Sequence, residues 1–316
     1  MKDLGPVVPI VTPCHPDGSL DLDGFRSVCS EMLEVGCRGI FVAGTTGRGP
    51  WFSLGERQKL CRAAADQIKS TVSPGSAPLL FAGCSSSGLP GMLENARAMA
   101  DAGAQIAVAT VPSYFHYSQS EIETIYLEFA DTCPLPVMVY DIPEFTNVKL
   151  ANDMVLRLAQ HGNVIGFKDS SADYERFKAL IEALQSFPDF FLMQGKENLI
   201  AESLRIGASG FIVSLLHIDP RLFVGVYRAV RMGNDTLADL LQGEINKVIE
   251  LVRETIERRP ASSTLFHMLN YALQKRDICK NILLGHDDDA PSWVIENTQR
   301  AFELCLSADE ILRNRN

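Results

Sequence analysis

Residues 137–170 read VMVYDIPEFTNVKLANDMVLRLAQHGNVIGFKDS. Two short runs in this stretch, Val137–Tyr140 and Val164–Lys168, are apolar at nearly every position. That is the pattern of strands buried on both faces of a parallel sheet. Between them, Ala151–Gln160 spaces its apolar residues for one face of a helix. Strand, crossover helix and parallel strand make one βαβ unit.

The alternation continues in both directions. Towards the N-terminus lie the strand candidates Val7–Val11, Gly39–Ala43, Leu79–Gly83 and Gln105–Ala109; towards the C-terminus lie Phe190–Gln194 and Gly210–Ser214. Helical candidates fill the gaps: Asp21–Val35, Ser53–Lys69, Pro90–Ala102, Ser120–Thr132, Asp173–Ser186, Asn198–Ile206 and Pro220–Met232. The second of these opens with a capping box, Ser53 and Glu56. Eight strand–helix units in about 230 residues predict an α/β fold of the (β/α)8 TIM-barrel type. No GxGxxG or GxxxxGK[ST] follows any strand, which argues against a nucleotide-binding open sheet.

After Gly233 the strand signal stops, and Thr236–Arg258, Ser263–Ala272 and Ser292–Leu312 read as helices. The expected organisation is a catalytic barrel over residues 1–232 and a C-terminal helical region over 233–316. With no polar linker between them, the region is expected to pack on the barrel.

Composition narrows the function classes. With 46% hydrophobic and 22% charged residues, the 316-residue chain is neither disordered nor fibrous. Its 29 Lys and Arg against 39 Asp and Glu give a net charge of −10, with no basic run. Nucleic acid and anionic membranes are therefore poor partners for the bulk surface, although a local pocket can still hold a small acid. The eight cysteines contain no CxxC pair and are expected to be buried thiols in a reducing, cytoplasmic setting. Pro6, Pro9, Pro13 and Pro16 interrupt any signal-peptide core, and no run reaches the ~18 apolar residues of a membrane span. The six histidines lack HxxxH spacing, so no metal site is expected. The acidic loop His286–Asp289 reads as solvated polarity; Trp51 and Phe52, just past the glycine loop, read as interface or core residues, with pocket lining as the alternative.

Catalytic groups of such barrels stand at the C-terminal ends of the strands. Lys168 ends an apolar strand there, where burial disfavours the ammonium and leaves a free amine to attack a ketone. The competing reading is a snorkelling lysine or an ion-paired one, with Asp169 as the partner. Tyr140 ends the neighbouring strand and can pass protons to and from an imine intermediate. The loop Gly44-Thr45-Thr46-Gly47-Arg48-Gly49-Pro50 offers hydroxyls and backbone N–H groups to a carboxylate or phosphate.

Taken together, the motifs resemble those of the dihydrodipicolinate synthase / N-acetylneuraminate lyase family of pyruvate-dependent class I aldolases. The resemblance rests on Pro9–Pro13, the Gly-Thr-Thr-Gly loop, Pro112–Tyr114, Tyr140–Pro143, Gly166–Lys168 and Gly195, in order along the chain. It implies that Lys168 forms a Schiff base with pyruvate or another 2-keto acid, and that Tyr140 is the proton donor and acceptor. Thr45 would relay that proton, and Tyr114 would complete the relay from a neighbouring subunit of a homotetramer built as a dimer of dimers. Thr46 and the Gly47 backbone would bind the keto-acid carboxylate, while Ile212 and the Gly195 carbonyl face the substrate. No metal or organic cofactor is implied, since the protonated imine is itself the electron sink.

Two departures bear on substrate. Dihydrodipicolinate synthases place an arginine after the fifth strand to bind the carboxylate of the aldehyde partner, and here that position is Phe145. The loop glutamate of Gly-Thr-Thr-Gly-Glu is replaced by Arg48, which gives a loop similar to that of 2-keto-3-deoxygluconate aldolases. Lys196, Glu197, Ser170 and Ser214 are then candidates for binding substrate hydroxyls. The residues after Gly195 do not match the Tyr-Asp-Glu of N-acetylneuraminate lyases. The resulting expectation is a lyase that cleaves a 2-keto-3-deoxy sugar acid to pyruvate and an aldehyde. The alternatives are a dehydratase of such acids, 4-hydroxy-tetrahydrodipicolinate (dihydrodipicolinate) synthase, and a non-catalytic 2-keto-acid sensor.

Overall fold

Eight parallel strands close on themselves in sequence order, the last pairing with the first. In this computed structural model, which describes residues 2–71, 77–260, 262–287 and 289–313, the strands are β1 Gly5–Pro9, β2 Gly39–Val42, β3 Leu79–Gly83, β4 Ile106–Ala109, β5 Val137–Asp141, β6 Val164–Asp169, β7 Phe191–Gln194 and β8 Gly210–Phe211. Outside them run α1 Leu22–Val35, α2 Leu54–Thr71, α3 Leu89–Asp101, α4 Gln119–Thr132, α5 Pro143–Thr146, α6 Asn152–Leu158, α7 Tyr174–Ala183, α8 Ile200–Arg205 and α9 Pro220–Arg231. Three further helices follow: α10 Asp235–Arg258, α11 Ser262–Lys275 and α12 Ser292–Arg313. The chain is a (β/α)8 barrel with C-terminal helices.

The strands are apolar on both faces because each face has its own core. Val7, Phe41, Phe81, Val108, Met138 and Met193 fill the barrel interior. Val8, Ile40, Val42, Leu80, Val139 and Phe167 point outward to the helices in a second, larger cluster. That outer cluster also takes in Leu241, Val248, Met268 and Leu273, so the C-terminal helices share the barrel's core. All eight cysteines are buried thiols. Among the described residues, no helix is long and apolar enough to cross a membrane.

Boundaries differ from expectation where periodicity is weakest. The predicted eighth strand, Gly210–Ser214, ends at Phe211, and Leu215–His217 forms a 3-10 turn. The segment after β5, read as a loop, contains the short helix α5, started by Pro143 and stopped at Asn147 in the left-handed conformation. The start of the predicted Asn198–Ile206 helix is a 3-10 turn, Glu197–Leu199.

Candidate active site

Tyr140 and Lys168 are register partners at the C-terminal ends of β5 and β6. Both side chains point into the barrel mouth, and they are only 5% and 4% exposed. Lys168 Nζ lies 3.8 Å from the centre of the Tyr140 ring and 5.7 Å from that of Phe41. Among the described residues it makes no hydrogen bond or ion pair. An ammonium buried without a carboxylate is held only by ring faces, so the side chain is available for chemistry.

The competing reading, an ion pair between Lys168 and Asp169, is not realised, because Asp169 is paired elsewhere. One residue along each strand, the side chains turn outward, and Asp141 and Asp169 meet Arg176 of α7. Arg176 Nη1 stands 2.9 Å from Asp141 Oδ2 and 2.8 Å from Asp169 Oδ2, while Nη2 donates to the Leu150 carbonyl at 2.6 Å. All three charged groups are buried. Burial pushes the Asp141 carboxyl up to about 7; Arg176 opposes this, but it is shared with Asp169, whose charge pushes the same way as burial. Asp141 Oδ1 has no hydrogen-bond partner.

The loop after β2 folds back on itself: Arg48 N donates to the Thr45 carbonyl and Gly49 N to the Gly44 carbonyl, each at 3.0 Å. A Cβ at Gly49 would fall 1.9 Å from the Ala43 carbonyl oxygen, so only glycine lets the turn close. Thr12 Oγ1 donates to the Gly47 carbonyl at 2.7 Å and ties the loop to the segment after β1. Thr45 and Thr46 thereby reach a cavity of about 670 Å³, which also borders Lys168, Tyr140, Gly195 and Ile212. Gly47 is buried beneath the loop and does not line this cavity.

Lys196, Glu197, Ser170 and Ser214 all border the same cavity, but two of them are engaged with each other. Glu197 Oε1 accepts from Ser214 N, Ser214 Oγ and Leu215 N, all at 3.2 Å, and so caps the 3-10 turn after β8. Lys196 Nζ sits 3.5 Å from Glu144 Oε2 on α5. Phe145, half out in solvent, lines the cavity beside it. Glycine is required at 195, because a Cβ there would lie 2.1 Å from Ser170 Oγ and 2.7 Å from the Asp169 carbonyl oxygen. Tyr114 stands apart at 77% exposure, edge-on to Phe115 at 5.0 Å, and borders neither this cavity nor its neighbour.

That neighbour, of about 680 Å³, shares Thr45, Tyr140, Ile142 and Phe145 with the first and runs towards Ser85 and Arg57. Lys168 borders only the first.

Sequence reasoning missed the far wall of the cavity. Ile256, Leu265, Phe266 and His286 come from the C-terminal region and carry no motif that would have marked them. The loop at 286–289 is not simple solvated polarity: Asp287 is 3% exposed and bound to Arg48, and His286 stacks on Trp51 at 3.9 Å; Asp288 lies outside the described residues. Trp51 itself is 58% exposed at the cavity edge rather than in the core.

Comparison with known proteins identifies one family and one fold. Residues 3–284 match the Dihydrodipicolinate synthetase family. A 4-hydroxy-tetrahydrodipicolinate synthase of Xanthomonas axonopodis pv. citri is 35% identical over 212 residues, 67% of this chain and 68% of the relative. A dihydrodipicolinate synthase structure from Bacteroides thetaiotaomicron superposes with a TM-score of 0.83 at 27% identity, covering 96% of this chain and 99% of that one. A prophage protein of the dihydrodipicolinic acid synthase family from E. coli K12, solved with pyruvate, shares the fold with a TM-score of 0.86 at 20% identity, over 96% and 99% of the two chains.

Proposed function

The chain belongs to the dihydrodipicolinate synthetase family and is a lyase, and from that premise we propose that it works through a Schiff base between Lys168 and pyruvate. The observation that carries this reading is the buried amine of Lys168, free of any ion pair, 3.8 Å from the Tyr140 ring at the barrel mouth.

The amine attacks the keto carbon and water leaves, giving a protonated imine. That cation withdraws electrons from C3, so loss of a C3 proton gives an enamine. Enamine C3 then attacks an aldehyde carbonyl, a proton ends on the new hydroxyl, and hydrolysis returns Lys168. Run in reverse, the C3–C4 bond breaks and the enamine is reprotonated. Tyr140 moves these protons with Thr45 beside it, and Tyr114 reaches the relay from a second copy in a homotetramer. Thr46, which borders the cavity, takes the keto-acid carboxylate with the loop N–H groups that face it, and Gly47, buried beneath the loop, shapes the turn instead of touching the substrate. The imine supplies the electron sink, so neither a metal nor an organic cofactor enters the scheme.

For the aldehyde partner, the curated relatives named 4-hydroxy-tetrahydrodipicolinate synthase favour condensation with pyruvate over cleavage of a keto-deoxy sugar acid. The engagement of Glu197 with Ser214 supports the same order, because it leaves fewer groups for sugar hydroxyls. Phe145 supplies no cation for an acceptor carboxylate, so Lys196 would bind it instead. Sugar-acid cleavage stands second, on the likeness of the Thr45–Pro50 loop to that of 2-keto-3-deoxygluconate aldolases.

The test is a panel in which pyruvate is offered with aspartate semialdehyde and with hydroxyaldehydes, and keto-deoxy sugar acids are scored for pyruvate release. Highest kcat/KM for pyruvate with aspartate semialdehyde is expected. Faster pyruvate release from a sugar acid would reverse the order, and dehydration without pyruvate release would replace both.

A further inference from the structure

Arg48 carries three unfavourable features at once. Its backbone adopts φ 50°, in the left-handed region, which is costly for a residue with a Cβ. Its side chain is only 12% exposed, and burying a guanidinium carries a desolvation penalty. Its Nη2 is also buried without a hydrogen-bond partner. Costs gathered in one residue, two positions beyond Thr46 in the same turn, persist only where the surroundings over-determine its position.

The surroundings that do so lie in the C-terminal region. Arg48 Nη1 donates to Asp287 Oδ2 at 2.6 Å, and the guanidinium covers the Phe266 ring at 3.5 Å. Asp287 is fixed in turn by Leu284 N, which donates to the same oxygen at 2.8 Å. Burial acts to raise the Asp287 pKa, but the hydrogen bonds from Arg48 and Leu284 outweigh it and hold the group below the usual carboxylate range. The partner of Arg48 is therefore a carboxylate at neutral pH. Nearby, Trp51 stacks on His286, so two adjacent contacts join the same two segments.

We propose that the Arg48–Asp287 pair is a clamp that seats the C-terminal region over the barrel mouth and thereby positions the Thr45–Thr46 loop for the keto acid. The proposal rests on the Schiff-base reading above. Arg48 N closes the turn on the Thr45 carbonyl, so a pull on the Arg48 side chain is transmitted directly to both threonines. Lys168 and Tyr140 stand on strands and do not depend on the loop for their placement. Loss of the clamp should therefore weaken keto-acid binding more than it slows chemistry. Arg48 and Asp287 are positioning residues, acting through Thr45 and Thr46.

The experiment compares Asp287→Asn and Asp287→Glu in the full-length chain by steady-state kinetics and by borohydride labelling of Lys168 with pyruvate. Asp287→Asn is expected to raise KM for pyruvate about tenfold while kcat changes by less than about threefold. Asp287→Glu should recover most of the affinity, and Arg205→Gln, which breaks exposed ion pairs with Asp235 and Asp239, should change neither constant. Should Asp287→Asn fail to fold, Arg48→Lys, which keeps the charge but loses the planar fork, is expected to give the same split. Normal Lys168 labelling with an unchanged KM, or equal losses in the Asn and Glu variants, would overturn the clamp alone. No Lys168 label in the unaltered protein would instead overturn the Schiff-base reading.

Discussion

On β5 and β6, consecutive residues face opposite ways and do opposite things. Tyr140 and Lys168 turn inward, and no hydrogen bond or ion pair within the described chain engages the Lys168 amine or the Tyr140 phenol. Asp141 and Asp169 turn outward and are locked to Arg176. The period-two alternation of a strand thus separates the uncommitted side chains at the mouth from the ion-paired ones behind by one residue. An uncommitted amine is tolerable at the mouth because the next residue fixes the strand ends from behind. Changing either pair separates the two behaviours.

The inner pair should change catalysis and leave the fold intact. Lys168→Ala is expected to lower kcat/KM by about a thousandfold or more, with an unchanged thermal transition. Tyr140→Phe keeps the ring beside Lys168 and removes only the hydroxyl; kcat should fall by about 10²–10⁴-fold. A Tyr140→Phe protein with full turnover would take that residue out of the proton path.

The outer pair should do the reverse. At a pH above about 8, where Asp141 is also ionised, Arg176→Met leaves the buried Asp141 and Asp169 without their cation and is expected to lose about 3–5 kcal/mol in denaturant unfolding. The smallest effect belongs to Asp141→Asn. Since the folded-state pKa of Asp141 is raised to about 7, the native protein holds a proton that the unfolded chain releases from about pH 4 upward. Its contribution is therefore fully present at low pH and is lost as pH rises through about 7. Unfolding free energy of the unaltered protein should fall by about 2 kcal/mol between pH 5 and pH 8, and Asp141→Asn should remove most of that slope. An unchanged slope would show that Asp141 is not the titrating group.

How far the sequence alone could reach follows from the same physics. The strands were legible because burial on both faces leaves runs such as Val164–Phe167 almost wholly apolar, and few other structures need that. Lys168 and Tyr140 were legible because each closes an apolar run at the end of a barrel strand, although which of the polar residues there turns inward is set by the strand alternation. Arg176 was not, since an arginine on an amphipathic helix looks solvated until the fold brings two strand-end carboxylates to it. The cavity wall from Ile256, Leu265 and Phe266 was hidden for a related reason: apolar helix positions announce burial without saying against what. Asp287, within an acidic loop, read as solvated because its partner Arg48 lies 239 residues away. Glu197 and Ser214, candidates for substrate hydroxyls, also hydrogen-bond to each other, which their spacing in the sequence does not announce.

The central claim is that Lys168 is the nucleophile of a pyruvate-dependent lyase. Borohydride reduction in the presence of pyruvate, followed by peptide mass spectrometry, tests it most directly. A single pyruvate-derived adduct on Lys168, absent when pyruvate is left out, is the predicted result. No adduct, or one carried by another lysine such as Lys196, would contradict it.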